Sequence, residues 1–94
     1  MGPERTIENK LRKDTILRGG KCLKLQSEAG TPDRIVLLPG GKVGFVETKR
    51  DESETPRRLQ LERHRELRRL GFPVFILNSK DDIKTVLDKI ENAL

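Results

Sequence analysis

Apolar side chains recur at helical spacing near both ends of the chain and gather into short runs between them. Ile7 and Leu11, flanked by Glu4, Glu8 and Thr15, share one side of a helix from Pro3 to about Arg18. Pro3 suits a first turn, and Gly19-Gly20 ends the helix. Lys21-Cys22-Leu23-Lys24-Leu25 alternates and reads as a short strand. The dense run Ile35-Val36-Leu37-Leu38 and the segment Val43 to Thr48 are two further strands, joined as a hairpin by Pro39-Gly40-Gly41. An acidic, polar loop, Asp51 to Thr55, precedes a second helix capped by Thr55, with Pro56 at its first position. That helix reaches about Leu70, where Gly71 takes the usual C-terminal glycine place. On it Leu59, Leu67 and Leu70 point to one side, and Gln60 falls close to Leu67, facing inward. Pro73-Val74-Phe75-Ile76-Leu77 is apolar throughout, which predicts a central strand covered on both faces. Ser79 caps a last helix carrying the stripe Ile83, Val86, Leu87 and Ile90. The order αβββαβα predicts one α/β domain over residues 1–94, a mixed sheet with helices on both faces.

Size and charge add to this outline. A 94-residue domain buries only roughly 60–65% of its unfolded surface. With 33% hydrophobic and 37% charged residues it supports one modest core, to which a partner subunit can add burial. Lys and Arg total 20 against 15 acids, a net charge of +5 and a pI near 9.7, which favours polyanionic partners. Three Phe and no Trp or Tyr supply little for base stacking, so contacts to nucleic acid would go mainly to phosphates. The lone Cys22 excludes an intrachain disulfide and a thiolate zinc site, and fits a reduced cytoplasm. The opening MGPERTIENK lacks the apolar core of a signal peptide, and no apolar run approaches a membrane span.

The chemistry concentrates in Gly44-Phe45-Val46-Glu47-Thr48-Lys49-Arg50. Side chains alternate along a strand, so Glu47 and Lys49 share a face with Val43 and Phe45, at the point where the strand leaves the core. Spacing alone leaves a weak strand-end ion pair open, since Glu-x-Lys is a common tripeptide. Asp33 alters that reading. It begins the other arm of the hairpin and flanks Pro39-Gly40-Gly41 almost symmetrically with Glu47, so the two are expected as cross-strand neighbours. Adjacent carboxylates repel unless they share a proton or a cation, and a hard divalent cation prefers such an oxygen site. The plainer reading of Asp33 is a turn cap.

Pro32-Asp33, thirteen further residues and then Glu47-Thr48-Lys49 resemble the PD-(D/E)XK nuclease signature. The wider set resembles its VRR-NUC branch, the virus-type replication-repair nucleases. It comprises Gly30-Thr31-Pro32-Asp33-Arg34-Ile35, Gly44 through Lys49, and Leu59-Gln60 ahead of Leu70-Gly71-Phe72-Pro73-Val74. The resemblance covers about residues 5 to 80. It implies a restriction-endonuclease-like αβββαβ core with a C-terminal helix added. It also implies phosphodiester hydrolysis in DNA with Mg²⁺ or Mn²⁺ and no organic cofactor. Asp33, Glu47 and the Thr48 carbonyl would hold the metal. Lys49 would orient or deprotonate a water, or stabilise the transition state. Gln60 matches the family's helix glutamine.

Several residues keep two readings. Gln60 reaches into the cleft or bonds nearby backbone. Glu8 matches a first-helix glutamate that would complete the metal shell, or it pairs with Arg12 one turn on. His64, four residues after Gln60, is a general base or a partly exposed helix histidine without a role. Arg57, Arg58, Arg63, Arg65, Arg68 and Arg69 form a solvated face or a phosphate-binding one. Lys24, Arg34 and Arg50 lie nearest the expected site and are the candidates for local phosphate contacts. Family likeness points to branched or flapped DNA as substrate. The small size points to a homodimer, with Leu61 a candidate interface residue, and the expected setting is a bacterial or virus-infected cytoplasm. The rival readings are a non-catalytic nucleic-acid-binding module that keeps the fold, and a small RNA-binding or assembly protein.

Overall fold

The computed structural model describes residues 3–50 and 56–93. Helix α1 (Pro3–Leu17) leads into strands β1 (Lys21–Lys24), β2 (Arg34–Leu38) and β3 (Lys42–Thr48). Helix α2 (Arg58–Arg69), strand β4 (Val74–Leu77), a single 3₁₀ turn (Lys80–Asp82) and helix α3 (Ile83–Glu91) complete the chain. The expected element order is therefore present. The expected Asp51–Thr55 loop and Thr55 cap lie outside the described residues.

The four strands form one mixed sheet in the order β1-β2-β3-β4. β1, β2 and β3 are successively antiparallel, and β4 runs parallel to β3 with Phe45 opposite Val74 and Thr48 opposite Leu77. α2 makes the crossover that a parallel pair requires. The apolar run of β4 suggested a central strand, but β4 is an edge strand and its Ile76 is 37% exposed. Its apolar character has another origin. Phe75 and Leu77 face the main core, while Val74 is covered from the α2 side, so both faces are met although one edge is open.

The main core lies between the sheet and the helices α1 and α3. Ile7 and Leu11 from α1, Val36, Leu38, Val46 and Leu77 from the sheet, and the full α3 stripe Ile83, Val86, Leu87 and Ile90 are buried there. Gly44 permits this contact. A Cβ at that position would sit 2.4 Å from Ile90 Cδ1, so α3 rests directly on the β3 backbone. Arg18 clasps the far end, 2.8 Å from Asp88 and 2.7 Å from Glu91 of α3.

Helix α2 covers the opposite face. It begins at Arg58 rather than Pro56, because Gln60 Oε1 accepts the Arg57 N–H at 2.8 Å and closes the first turn there. Its inward side is not the expected leucine stripe. His64 is its buried residue, Gln60 and Leu67 are half-buried beside it, and Leu70 is 73% exposed. The helix lies over the end of β3 and the edge strand, where the sheet offers Glu47 and Lys49 rather than apolar side chains.

Candidate active site

The alternation of β3 divides its last residues between two layers. Gly44, Val46 and Thr48 turn toward α1 and α3, as the Gly44–Ile90 approach and a 3.4 Å separation of Thr48 Oγ1 from Glu8 Oε1 show. Phe45, Glu47 and Lys49 turn toward α2. Both charged residues are buried.

Toward α2, Lys49 Nζ donates to Gln60 Oε1 at 3.2 Å and lies 3.8 Å from Glu47 Oε2. Glu47 Oε1 lies 3.7 Å from His64 Nε2. Inward-facing Gln60 thus meets the strand, and its carbonyl serves Lys49 and the Arg57 N–H together. His64 differs from the partly exposed residue that its helix position suggested. It is 0% exposed, and neither ring nitrogen has a hydrogen-bond partner among the described residues. Burial, then the charges of Arg68 and Lys49, lower its pKa from the ordinary 6.5 and keep the imidazole neutral. A cleft of about 350 Å³, lined by Ala29, Gly30, Lys49, Arg57, Leu59 and Gln60, opens beside the lysine. Gly30, at φ +84°, makes its wall possible: a Cβ there would stand 2.9 Å from the Leu59 carbonyl oxygen.

Toward α1 stands a second group. Extending the ladder one residue beyond its last pair, Arg34–Val46, would bring Asp33 opposite Glu47. Its carboxylate, however, turns to the next residue. Thr48 N–H donates to Oδ1 at 3.0 Å and Thr48 Oγ1 to Oδ2 at 2.6 Å. Desolvation raises the Asp33 pKa above 3.8; the two Thr48 hydrogen bonds oppose this and the Glu8 charge adds to it. Glu8, from α1, is thus an acid whose charge reaches Asp33. Glu8 does not take Arg12 as its partner: Arg34 Nε donates to Glu8 Oε1 at 3.3 Å, with both side chains only 14% exposed. Arg34, a candidate for phosphate, is thus turned to the first helix. Lys24 and Arg50 are exposed, and Arg57 is the arginine that lines the cleft.

The two groups meet at the Glu47–Thr48 peptide, whose N–H holds Asp33 and whose preceding side chain lies beside Lys49. Among the described residues, no three His, Cys, Asp or Glu side chains are grouped as a complete metal cage. By donor type, the oxygens of Asp33 and Glu47 on either side of the Glu47–Thr48 peptide suit an oxygen-seeking ion that keeps several waters, as Mg²⁺ does, and not a closed tetrahedral zinc site. Of the residues at the site, His64 is the one whose full burial beside Glu47 the sequence did not indicate. Its position one helical turn after Gln60 marked the face it shares, but not how deeply it is enclosed. The Glu8–Arg34 pair had no such signal, because the packing of α1 on the sheet decides it.

No family model matches the chain. The chain is 41% identical over 80 residues to a protein of Acyrthosiphon pisum secondary endosymbiont phage 1 named "Putative nuclease p44", a match spanning 83% of this chain and 85% of that one. A solved structure described as "VRR_NUC domain" superposes with a TM-score of 0.87 at 31% identity, covering 94% of this chain and 97% of that chain. Sequence and fold agree over most of the chain, and on both grounds it belongs to the VRR_NUC domain family.

Proposed function

We propose that the protein is a metal-dependent endonuclease that hydrolyses phosphodiester bonds in DNA, with a preference for branched or flapped substrates. One observation carries this reading: Glu47 and Lys49 are buried side by side at a strand end, with Asp33 held on the intervening peptide and Gln60 on the lysine. A buried lysine and two carboxylates are costly for a fold of 94 residues with a modest core, and a cleft beside them gives them a use.

Asp33, Glu47 and the Thr48 carbonyl are the groups that would hold Mg²⁺ or Mn²⁺, with Glu8 behind Asp33. Such an ion, when bound, supplies positive charge to the scissile phosphate and acidifies water. The chain's own residues do the rest. Gln60 fixes the Lys49 ammonium at the mouth of the cleft, where it orients the attacking water or meets the charge developing on the phosphate. Arg57 in the cleft, with exposed Lys24 and Arg50, gives the neighbouring phosphates their counter-charges. Selectivity for DNA shape rather than base sequence follows from a surface rich in arginine and poor in aromatic side chains. Leu61, Leu70, Phe72 and Ile76, exposed on α2 and around the open β4 edge, support a homodimer, which would set two sites on a two-fold junction.

The test is cleavage of linear duplex, flap and four-way junction DNA with Mg²⁺, Mn²⁺ or EDTA. Metal-dependent cutting of the branched substrates is expected, with Lys49→Ala slower by about 10²–10³-fold. Binding without cutting in any metal favours the non-catalytic module and ends the enzyme reading. Wild-type rates in Lys49→Ala remove the site assignment. Light scattering across concentrations, with and without junction DNA, decides the dimer: a monomer throughout rejects it.

A further inference from the structure

We propose that His64 is a positioning residue for Glu47, its Nε2–H directed at Glu47 Oε1 so that the carboxylate is held in one orientation. This rests on the reading of Glu47 as a site carboxylate.

The first ground is the placement of the ring. His64 is the buried residue of α2, fully enclosed, with no hydrogen-bond partner at either nitrogen among the described residues. A leucine would fill the same space without that desolvation cost, so the imidazole is poorly explained by packing alone. The polar atom it faces is Glu47 Oε1, at 3.7 Å. That separation is longer than a hydrogen bond, and a shift of about 0.7 Å closes it.

The second ground is a match of spacings. Gln60 and His64 are one helical turn apart, a rise of about 6 Å. Lys49 and Glu47 are two residues apart on a strand, a rise of about 6.7 Å. The order is reversed, Gln60 to Lys49 and His64 to Glu47, as it must be for a helix running antiparallel to β3 before a parallel β4. The two pairs therefore form in register from one rigid-body docking of α2. Gln60 supplies an acceptor to the cation, and His64 supplies a donor to the anion. The other oxygen of Glu47 lies toward Lys49, 3.8 Å away, so the carboxylate stands between two N–H donors. A donor behind a ligating carboxylate fixes its plane and is commonly worth 10–100-fold in metal affinity.

Because the chain has a single histidine, its ring ¹⁵N signals are unambiguous. Long-range ¹H–¹⁵N spectra of the metal-free protein should show the Nε2–H tautomer, and Glu47→Gln should move the Nε2 signal. The Nδ1–H tautomer, or an Nε2 signal indifferent to Glu47→Gln, overturns the proposal. Mn²⁺ titration by calorimetry gives the second readout. His64→Leu should bind about 10–100-fold more weakly, and His64→Gln, which keeps a donor, should recover much of the loss. A folded His64→Leu with wild-type Mn²⁺ affinity also overturns it. If His64→Leu does not fold, the tautomer and the Glu47→Gln response still decide. A wild-type protein that binds no Mn²⁺ refutes the metal reading of the site, while the ring spectra still judge the contact itself.

Discussion

Thr48 carries two hydrogen bonds to one carboxylate, through its N–H and its hydroxyl. Removing only the hydroxyl tests that arrangement. Thr48→Val keeps the β-branched shape and the N–H but deletes the 2.6 Å bond to Asp33 Oδ2. The expected cost is about 1 kcal/mol in urea unfolding, with a fall in DNA cleavage because Asp33 is free to turn away. Stability and cleavage both equal to wild type would show that the hydroxyl does not hold Asp33. Cys22 offers a check on the neighbouring layer. Burial pushes its thiol above the ordinary 9.0, Arg34 opposes this, and Glu8 and Asp33 add to it. The sign is simple: a thiol with a raised pKa carries less thiolate than the same thiol in the unfolded chain at every pH below it. Iodoacetamide at pH 8 should therefore label the native protein far more slowly than the urea-unfolded one; equal rates would mean that β1 opens freely. At this scale the sequence was most informative where one residue type has few uses. Asp33, Glu47, Lys49 and Gln60 stood out and do come together. The bonding of Asp33 to Thr48 rather than to a carboxylate across the hairpin depends on a local turn of the chain that no spacing encodes.

Among the elements, β3 has the most exacting surroundings, with α3 on one face and α2 on the other. Gly44→Ala should force Ile90 to move and cost about 1–3 kcal/mol in urea unfolding. Combined with Ile90→Ala, which vacates the space, the two losses should be clearly less than additive; strict additivity would refute the close approach. Both helices at the ends of the chain were legible from periodicity, and the four strands from alternation, apolar runs and the turn residues between them, because a modest core leaves few ways to distribute so few apolar residues. The rank of β4 in the sheet was not. An apolar run reports how much of a strand is covered, and β4 is covered on both faces while one edge stays open. The inward side of α2 misled for a related reason. Helical phase put Gln60 inside correctly, but hydrophobicity favoured Leu70 over His64, and the strand it faces presents charge.

For the molecule as a whole, the Arg18 clasp joins the two helices that enclose the main core. Asp88 is held below its ordinary 3.8 by hydrogen bonds from Lys84 and then Arg18. A lowered carboxylate pKa contributes stability above pH 3.8 and loses it as the pH falls through the folded value. Asp88→Asn should therefore melt below wild type at pH 7, and the gap should close as the pH drops below 3.8; a gap that persists there would assign the effect to packing. The basic surface makes a second expectation at this scale. DNA binding should weaken steeply with salt, by about 0.9 in log affinity per log unit of salt for each phosphate engaged, and a flat salt profile would exclude a phosphate-dominated interface. A further consequence follows from how the site is joined. Its bonds link residues 15, 11 and 40 positions apart, and α2 supplies Gln60 after β3 has already been made. On a ribosome, Glu47 and Lys49 emerge before the α2 residues that meet them, Gln60 and His64. The group is therefore complete only once α2 has docked on β3, so the site is assembled by tertiary structure and not carried by any one segment.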